Sequence, residues 1–211
     1  MNKLFIFLLI PLFLGFFVPK DKPKIIIKHG DITLYLDSDT NSFVSIHKIK
    51  YSNFKKLDSD RDNKWFQDKY KGIYIRDFYR NSGYDLGHLT PSHITSYDDT
   101  LNHKSFSLFN QAPQLAAFNR GKWAQLEGRV EDSISKYKSN TTIITGVIYD
   151  NNNKTYLNKS KIKIPISYYK ILLINKLTYV WVGSNINGEV ILIDIKKLND
   201  ILKINKNSLK F

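Results

Sequence analysis

Gly83-Tyr84-Asp85-Leu86-Gly87-His88-Leu89-Thr90-Pro91, with Asn119 and Glu127 following at helical spacing, is the stretch from which the rest of the chain can be read. Gly83 to His88 reads as a turn into a short strand. Pro91 ends whatever regular structure precedes it, because proline lacks the N–H that a continuing ladder or helix needs. Phe106-Ser107-Leu108-Phe109 reads as a second short strand, with Asn110-Gln111-Ala112-Pro113-Gln114 as the turn after it. From Asn119 the pattern changes. Trp123, Leu126, Val130 and Ile134 recur at intervals of three and four, the period of one helix face, out to about Lys136. The predicted order is strand, loop, strand, helix.

On the N-terminal side, Ile25-Ile26-Ile27 and Ile32 to Leu36 flank Lys28-His29-Gly30-Asp31 as a hairpin, and Phe43 to Ile49 alternates as another strand. Tyr51 to Arg80 is polar with aromatic residues set into it and reads as an irregular, aromatic-pinned loop region. On the C-terminal side, Thr141 to Tyr149, Lys161 to Ile174, Thr178 to Val182 and Glu189 to Ile195 are rich in Ile, Val, Thr and Tyr, which favour strands. Asp150 to Lys159 is a polar loop, and Lys196 to Ile204 closes as a short helix. The expected fold class is α+β, with a mixed, mainly antiparallel central sheet and helices.

At 211 residues, 42% hydrophobic and 14% aromatic, the chain can bury one sizeable core, and a single domain is expected over residues 21–211. Lysine and arginine number 32 against 19 acidic residues, a net charge of +13, which favours a polyanionic partner such as nucleic acid or an anionic membrane. Charge gives only the sign of that partner, and the joint excess of Lys, Asn and Ile is also what AT-rich coding produces. Cysteine is absent, so a disulfide framework and a thiolate zinc site are excluded, and any metal must be held by oxygen or imidazole. Met1-Asn2-Lys3, the apolar run Leu4 to Val18 and the polar Pro19-Lys20-Asp21-Lys22 match a signal peptide or an uncleaved signal anchor over residues 1–20. The expected location is outside the cytoplasm, secreted or membrane-anchored, with membrane contact only if the leader is uncleaved.

Hydrolysing a phosphodiester needs a base for water, positive charge against the crowded phosphate, and something to steady the leaving oxygen. His88 can be the base, since a neutral imidazole is matched to pH 7, with Asp85 and the carbonyls around Gly87 orienting the ring. Taken alone, His88 reads equally as a structural histidine, Asn119 as a helix cap and Glu127 as a solvated charge. On a straight helix Asn119 and Glu127 share a face about 12 Å apart along the axis, too far for both to ligate one ion. Side chains lean toward the helix N-terminus, so the spacing suits Asn119 as a direct oxygen ligand and Glu127 as a partner through water. A hard, hydrated cation with few protein oxygens is what magnesium prefers.

Gly83 to Pro91, then Phe109-Asn110-Gln111-Ala112-Pro113-Gln114, then Asn119-Arg120-Gly121-Lys122-Trp123-Ala124-Gln125-Leu126-Glu127 closely resemble the DNA/RNA non-specific endonuclease family, whose members carry a ββα-metal (His-Me finger) core. A looser likeness runs from about Thr33 to Ile195, through Thr145-Gly146, Ile164-Pro165 and Tyr169-Lys170. The resemblance implies His88 as general base, Asn119 as the single protein ligand of magnesium, for which manganese can substitute, and Glu127 holding a water of that ion. It also implies Arg61, four residues before Trp65, as a phosphate contact. The family usually has arginine where this chain has Leu86, and leucine cannot donate to phosphate. Arg61, Arg80 and Arg120 are the candidates to compensate, the last two as substrate-binding residues.

The expectation is an exported, magnesium-dependent endonuclease that cuts DNA and RNA to leave 5′ phosphates, acting as monomer or homodimer, with an inhibitor protein as an open question. Its rivals are a nuclease-derived protein that only binds nucleic acid, and a membrane-anchored surface protein whose basic face binds anionic lipid or polymer. Both make His88, Asn119 and Glu127 superfluous.

Overall fold

The computed structural model describes residues 25–38, 41–58, 63–66, 76–150, 152 and 155–204. The expected leader over residues 1–20 and the candidate Arg61 lie outside the described residues.

β-Branched runs and tight turns build the framework. β1 (Ile25–His29) and β2 (Ile32–Ser38) form the expected hairpin, and β3 (Asn41–Ile49) pairs antiparallel with β2. β6 (Thr141–Ile148), β7 (Ser167–Ile174), β8 (Leu177–Ser184) and β9 (Val190–Ile193) continue the sheet. Its order is β1-β2-β3-β6-β7-β8-β9, with every neighbouring pair antiparallel. Asn175 and Lys176, both at positive φ, make the two-residue β7–β8 turn that the right-handed twist of a hairpin favours.

β3 and β6 are sheet neighbours, and everything from Lys50 to Asn140 is spliced between them. This insert opens with the single turn α1 (Tyr51–Phe54) and contains α2 (Asp99–Ser105), capped by the Asp98 carboxylate, which accepts from the Leu101 N–H. It also contains a second sheet of two strands, β4 (Tyr84–His88) and β5 (Gln111–Leu115). A helical run follows at once. It comprises α3 (Ala116–Phe118), a π turn (Asn119–Trp123) and α4 (Ala124–Tyr137). α4 packs on β7, and the final helix α5 (Ile195–Ile204) packs on β8.

Three expectations need correction. The second strand of the ribbon is Gln111–Leu115, not Phe106–Phe109. Two-stranded ribbons tolerate proline, and Pro113 spends its carbonyl on Asn185 rather than on the ladder. Phe106 is instead fully buried in a turn, and Ser107 caps the short helical turn that follows by accepting from the Phe109 N–H. The strand expected from Lys161 begins only at Ser167, because the Pro165 carbonyl is taken by the same Asn185 side chain. The helix expected from Asn119 starts three residues earlier. It widens into a π turn at Asn119–Trp123, where Gly121 sits at φ −104° and ψ −113°. Such turns recur at functional positions.

The core lies between the sheet and the helical run. Trp123, Leu126, Val130 and Ile134 are buried as the helical period predicts, and the Trp123 ring lies 5.3 Å from Phe118 and 5.5 Å from Tyr168. Gly183 makes this contact possible, since a Cβ there would come within 2.5 Å of the Phe118 ring. Asn185 rivets the ribbon to the sheet. Its Oδ1 accepts from the Leu115 N–H at 2.7 Å, and its Nδ2 donates to the carbonyls of Pro113 and Pro165. Among the described residues no helix is long and apolar enough to cross a membrane.

Candidate active site

On a strand, residues three apart face opposite sides, so Asp85 and His88 cannot both address one partner. His88 closes β4 against two aromatic walls. Trp65 stands 5.1 Å from its ring at a 44° tilt, and Phe106 stands 5.1 Å away edge-on. These rings flank the imidazole, while the Asp85 carboxylate is spent on Asn119 and Arg120. The next residues are clamped by Asn110. Its backbone carbonyl accepts from the Leu89 N–H, its Oδ1 accepts from the Thr90 N–H at 3.0 Å, and its Nδ2 donates to the Thr90 carbonyl at 2.8 Å. The Thr90 hydroxyl lies 2.5 Å from that of Ser45 on β3, tying the end of the ribbon to the main sheet.

Asp85 turns toward the helical run. Its carboxylate accepts Asn119 Nδ2 at 2.9 Å and both Nε (2.9 Å) and Nη2 (2.7 Å) of Arg120, a two-pronged grip. Partial burial works to raise this carboxyl. The hydrogen bonds from Arg120 and Asn119, with the guanidinium charge, outweigh burial and hold it below the ordinary carboxylate range. A carboxylate can only accept, so Asn119 must present its NH2 here, and its Oδ1 is left as the oxygen donor the side chain can offer elsewhere. Gly87 lets the ribbon close, because a Cβ there would meet the Gln114 side chain at 2.4 Å. Gln114 pairs with Asp85 across the ribbon and is fully buried, and both polar atoms of its side chain lack a hydrogen-bond partner among the described residues.

Glu127, half-buried on α4, lies 3.6 Å from Lys170 Nζ. Lys170 is 1% exposed, donates to Thr145 Oγ1 at 2.9 Å and stands 5.1 Å from the Trp123 ring centroid. Burial pushes its ammonium down, and Glu127 and then Glu131 oppose that.

The structure thus brings Asp85, Asn119 and Arg120 together and sets Glu127 on Lys170. Arg80 pairs instead with Asp77, an exposed contact at 3.8 Å. Leu86 packs with the apolar cluster containing Leu108 and Phe109, as Trp65 does, so the position where arginine was expected serves packing. Of the other histidines, His29 and His47 are buried, His93 pairs with Glu131 at 3.0 Å and His103 stacks on Phe66, in keeping with packing and surface roles. Sequence reasoning missed Gln114 and Lys170 as parts of the site. A charge inside the apolar run Tyr168 to Ile174 was the available signal for Lys170.

The donor set fits one hard divalent cation. Asn119 offers a carbonyl oxygen with its amide nitrogen already committed, and among the described residues no three His, Cys, Asp or Glu side chains converge as a polydentate metal site.

The model of a family described as DNA/RNA non-specific endonuclease matches residues 17–205. Human mitochondrial endonuclease G is 27% identical over 105 residues, 46% of this chain and 35% of that protein. Nuclease C1 of Cunninghamella echinulata var. echinulata is 30% identical over 114 residues, 48% of this chain and 45% of that protein. The alignments thus span less than half the length of these relatives. A crystal structure of the EndoG/EndoGI complex superposes with a TM-score of 0.69 at 21% identity, covering 93% of this chain and 89% of that one, and shows that the fold is shared.

Proposed function

The chain belongs to the DNA/RNA non-specific endonuclease family, and we propose that it hydrolyses phosphodiester bonds within DNA and RNA, using one divalent cation, magnesium by preference, and leaving 5′ phosphates. The observation that carries this reading is the grip of Asp85 on Asn119, which commits the amide nitrogen and presents the oxygen, one turn of chain from the ribbon that ends in His88.

His88 accepts a proton from the attacking water, its ring held by Trp65 and Phe106. Asn119 would hold the cation through Oδ1, and Glu127 would accept a hydrogen bond from water beside it. A bound divalent cation would supply positive charge for the phosphate oxygens and for the departing 3′ oxygen. Arg120, exposed beyond Asp85, offers a guanidinium to the phosphate chain where Leu86 cannot. The charge of +13 draws any nucleic acid toward the protein without regard to sequence. The solved neighbour is described as a complex of EndoG inhibition, which supports an inhibitor protein as a further partner of this chain. The apolar run at the N-terminus supports export, as a secreted or membrane-anchored protein.

The packing of Leu86 favours one alternative, a protein that still binds nucleic acid but no longer cuts it. A single experiment separates the two: plasmid and RNA are incubated with purified protein in magnesium, in EDTA, and with His88→Ala. Cleavage is expected in magnesium, none in EDTA, and a loss of about 10²–10⁴ in rate for His88→Ala. Binding without cleavage by the wild type, in magnesium and in manganese, leaves the non-catalytic alternative standing.

A further inference from the structure

A guanidinium has two usable edges, and Asp85 occupies only one of those of Arg120. It accepts from Nε at 2.9 Å and from Nη2 at 2.7 Å, which leaves the Nη1–Nη2 edge, a second fork of parallel N–H groups, outside that grip. The Arg120 side chain is 74% exposed and that of Asp85 19%, so the carboxylate sits behind and the other edge faces water. A surface arginine ordinarily has to be ordered when a ligand arrives; this one is held in place beforehand. Neighbours one apart on a regular helix do not face each other, yet Asn119 and Arg120 both reach Asp85 Oδ2. Both lie in the π turn Asn119–Trp123, whose backbone leaves helical geometry at Gly121.

Side chains one apart on a strand point to opposite faces, and those two apart share a face. Leu86 and His88 therefore lie on one side of β4, with Leu86 packed in the cluster of Leu108 and Phe109, while Asp85 and its Arg120 lie on the other. A guanidinium at position 86 would stand beside the proposed base, whereas Arg120 stands across the strand from it. In hydrolysis the attacking water and the leaving oxygen are roughly in line, on opposite sides of the phosphorus. With His88 on the water's side, Arg120 is on the leaving side, where the 3′ oxygen departs with the nucleotide 5′ to the cut. We propose that Arg120, anchored by Asp85, holds the phosphate immediately 5′ to the one being cut, and so selects linkages that have a charged neighbour on that side. This deepens the nuclease reading and rests on it. Arg120 is then no substitute for an arginine at position 86, because its contact positions the chain instead of stabilising charge at the reacting phosphate. One consequence is a bias toward internal cuts, since the first linkage of an unphosphorylated 5′ end has no such neighbour.

The test uses the full chain and a short oligothymidylate with one neutral methylphosphonate linkage at its centre. Cleavage in magnesium is mapped linkage by linkage for wild type, Arg120→Ala, Arg120→Lys and Arg120→Ala combined with Leu86→Arg. Affinity for the same oligonucleotide is measured in EDTA over a range of salt concentrations. Wild type is expected to cut the linkage immediately 3′ to the neutral one about 10-fold less often than the others, since one charged hydrogen bond is missing there. The linkage immediately 5′ to it should be cut normally. Arg120→Ala is expected to lose that dip and to reduce the slope of log affinity against log salt by roughly 0.7–1. Arg120→Lys is expected to recover the slope but not the dip, because an ammonium has no second edge with which to grip a carboxylate and a phosphate together. Adding Leu86→Arg to Arg120→Ala is expected to leave the map flat. A dip on the 5′ side of the neutral linkage, one that survives Arg120→Ala, or one restored by Leu86→Arg overturns the proposal, as do equal salt slopes in wild type and Arg120→Ala. Should Arg120→Ala not fold, Arg120→Lys carries the comparison of maps. A wild type that cuts nowhere, in magnesium or manganese, removes the nuclease reading and this proposal with it, whereas one that cuts every charged linkage evenly removes the proposal alone.

Discussion

The β4–β5 ribbon and the seven-stranded sheet are both antiparallel, yet they are stabilised in different ways. The ribbon has five residues per strand, too few to persist alone, and its most telling side chains, Asp85, Leu86 and His88, are only partly buried. The sheet runs β6 and β7 almost wholly buried, with Ile144, Tyr168, Tyr169, Ile171 and Leu172 all at 0% exposure. One region presents polar groups and borrows its rigidity; the other supplies rigidity and contributes one charge, Lys170. A short, half-exposed ribbon can carry reactive groups only because a larger buried layer holds it through a few specific bonds, such as those of Ser45 and Asn185.

The sharpest way to break this division is to damage the sheet and watch the ribbon. Ile144→Ala leaves a cavity at a fully buried position and is expected to cost about 2–5 kcal/mol of stability by urea denaturation, while kcat per folded molecule stays unchanged. A fall in kcat matching the fall in stability would mean that the two regions do not separate.

A second test uses pH. His47, buried beneath the insert, lies 3.4 Å from the Tyr97 hydroxyl, which donates to Asp31. Burial drives its imidazole down from 6.5 to about 4, with Asp31 opposing and Lys170 adding to the shift. The folded state therefore holds this group neutral. The unfolded chain binds the extra proton first as pH falls, so stability is fully present above about pH 6.5 and is lost toward pH 4. The contribution is up to about 3 kcal/mol. Unfolding free energies at pH 7.5 and 4.5 should differ less in His47→Leu than in wild type, and an equal pH dependence in the two proteins would count against the assignment.

The smallest effect belongs to the ribbon. Asp85→Asn keeps the shape but loses the charge that grips Arg120 and dictates which way the Asn119 amide turns. A loss of about 10- to 100-fold in kcat is expected, with weaker manganese binding and an unchanged melting temperature. A melting temperature that drops with activity would place Asp85 among the residues that hold the fold rather than those that present Asn119.

The order strand, loop, strand, helix was legible because it sits in short, local patterns, and the same patterns are what nominate His88, Asn119 and Glu127 as the proposed trio. The position of β5 was not, since Pro113 reads as a turn signal unless one knows that its strand belongs to a two-stranded ribbon and that its carbonyl has a partner in Asn185. The target of Asp85 depends on which face of β4 meets the helical run, and no spacing rule states that. Lys170 comes into the site only through the register that sets it beside Thr145, a pairing between strands whose side-chain purpose becomes visible once Glu127 is laid over them.

The reach of Asn185 also has a consequence in time. Asp85, His88, Asn119 and Glu127 lie between residues 85 and 127, but the bonds that seat the ribbon end at residue 185, and the ammonium beneath Glu127 is at 170. Chains emerge from the ribosome N-terminal end first, at about 5–20 residues per second. During synthesis, then, the reactive residues are exposed for seconds before the strands that align them exist. A nascent chain carries the parts of the proposed nuclease unassembled beside the very RNA it is being read from, and the fold delays alignment until β8 and its closing turn have been made.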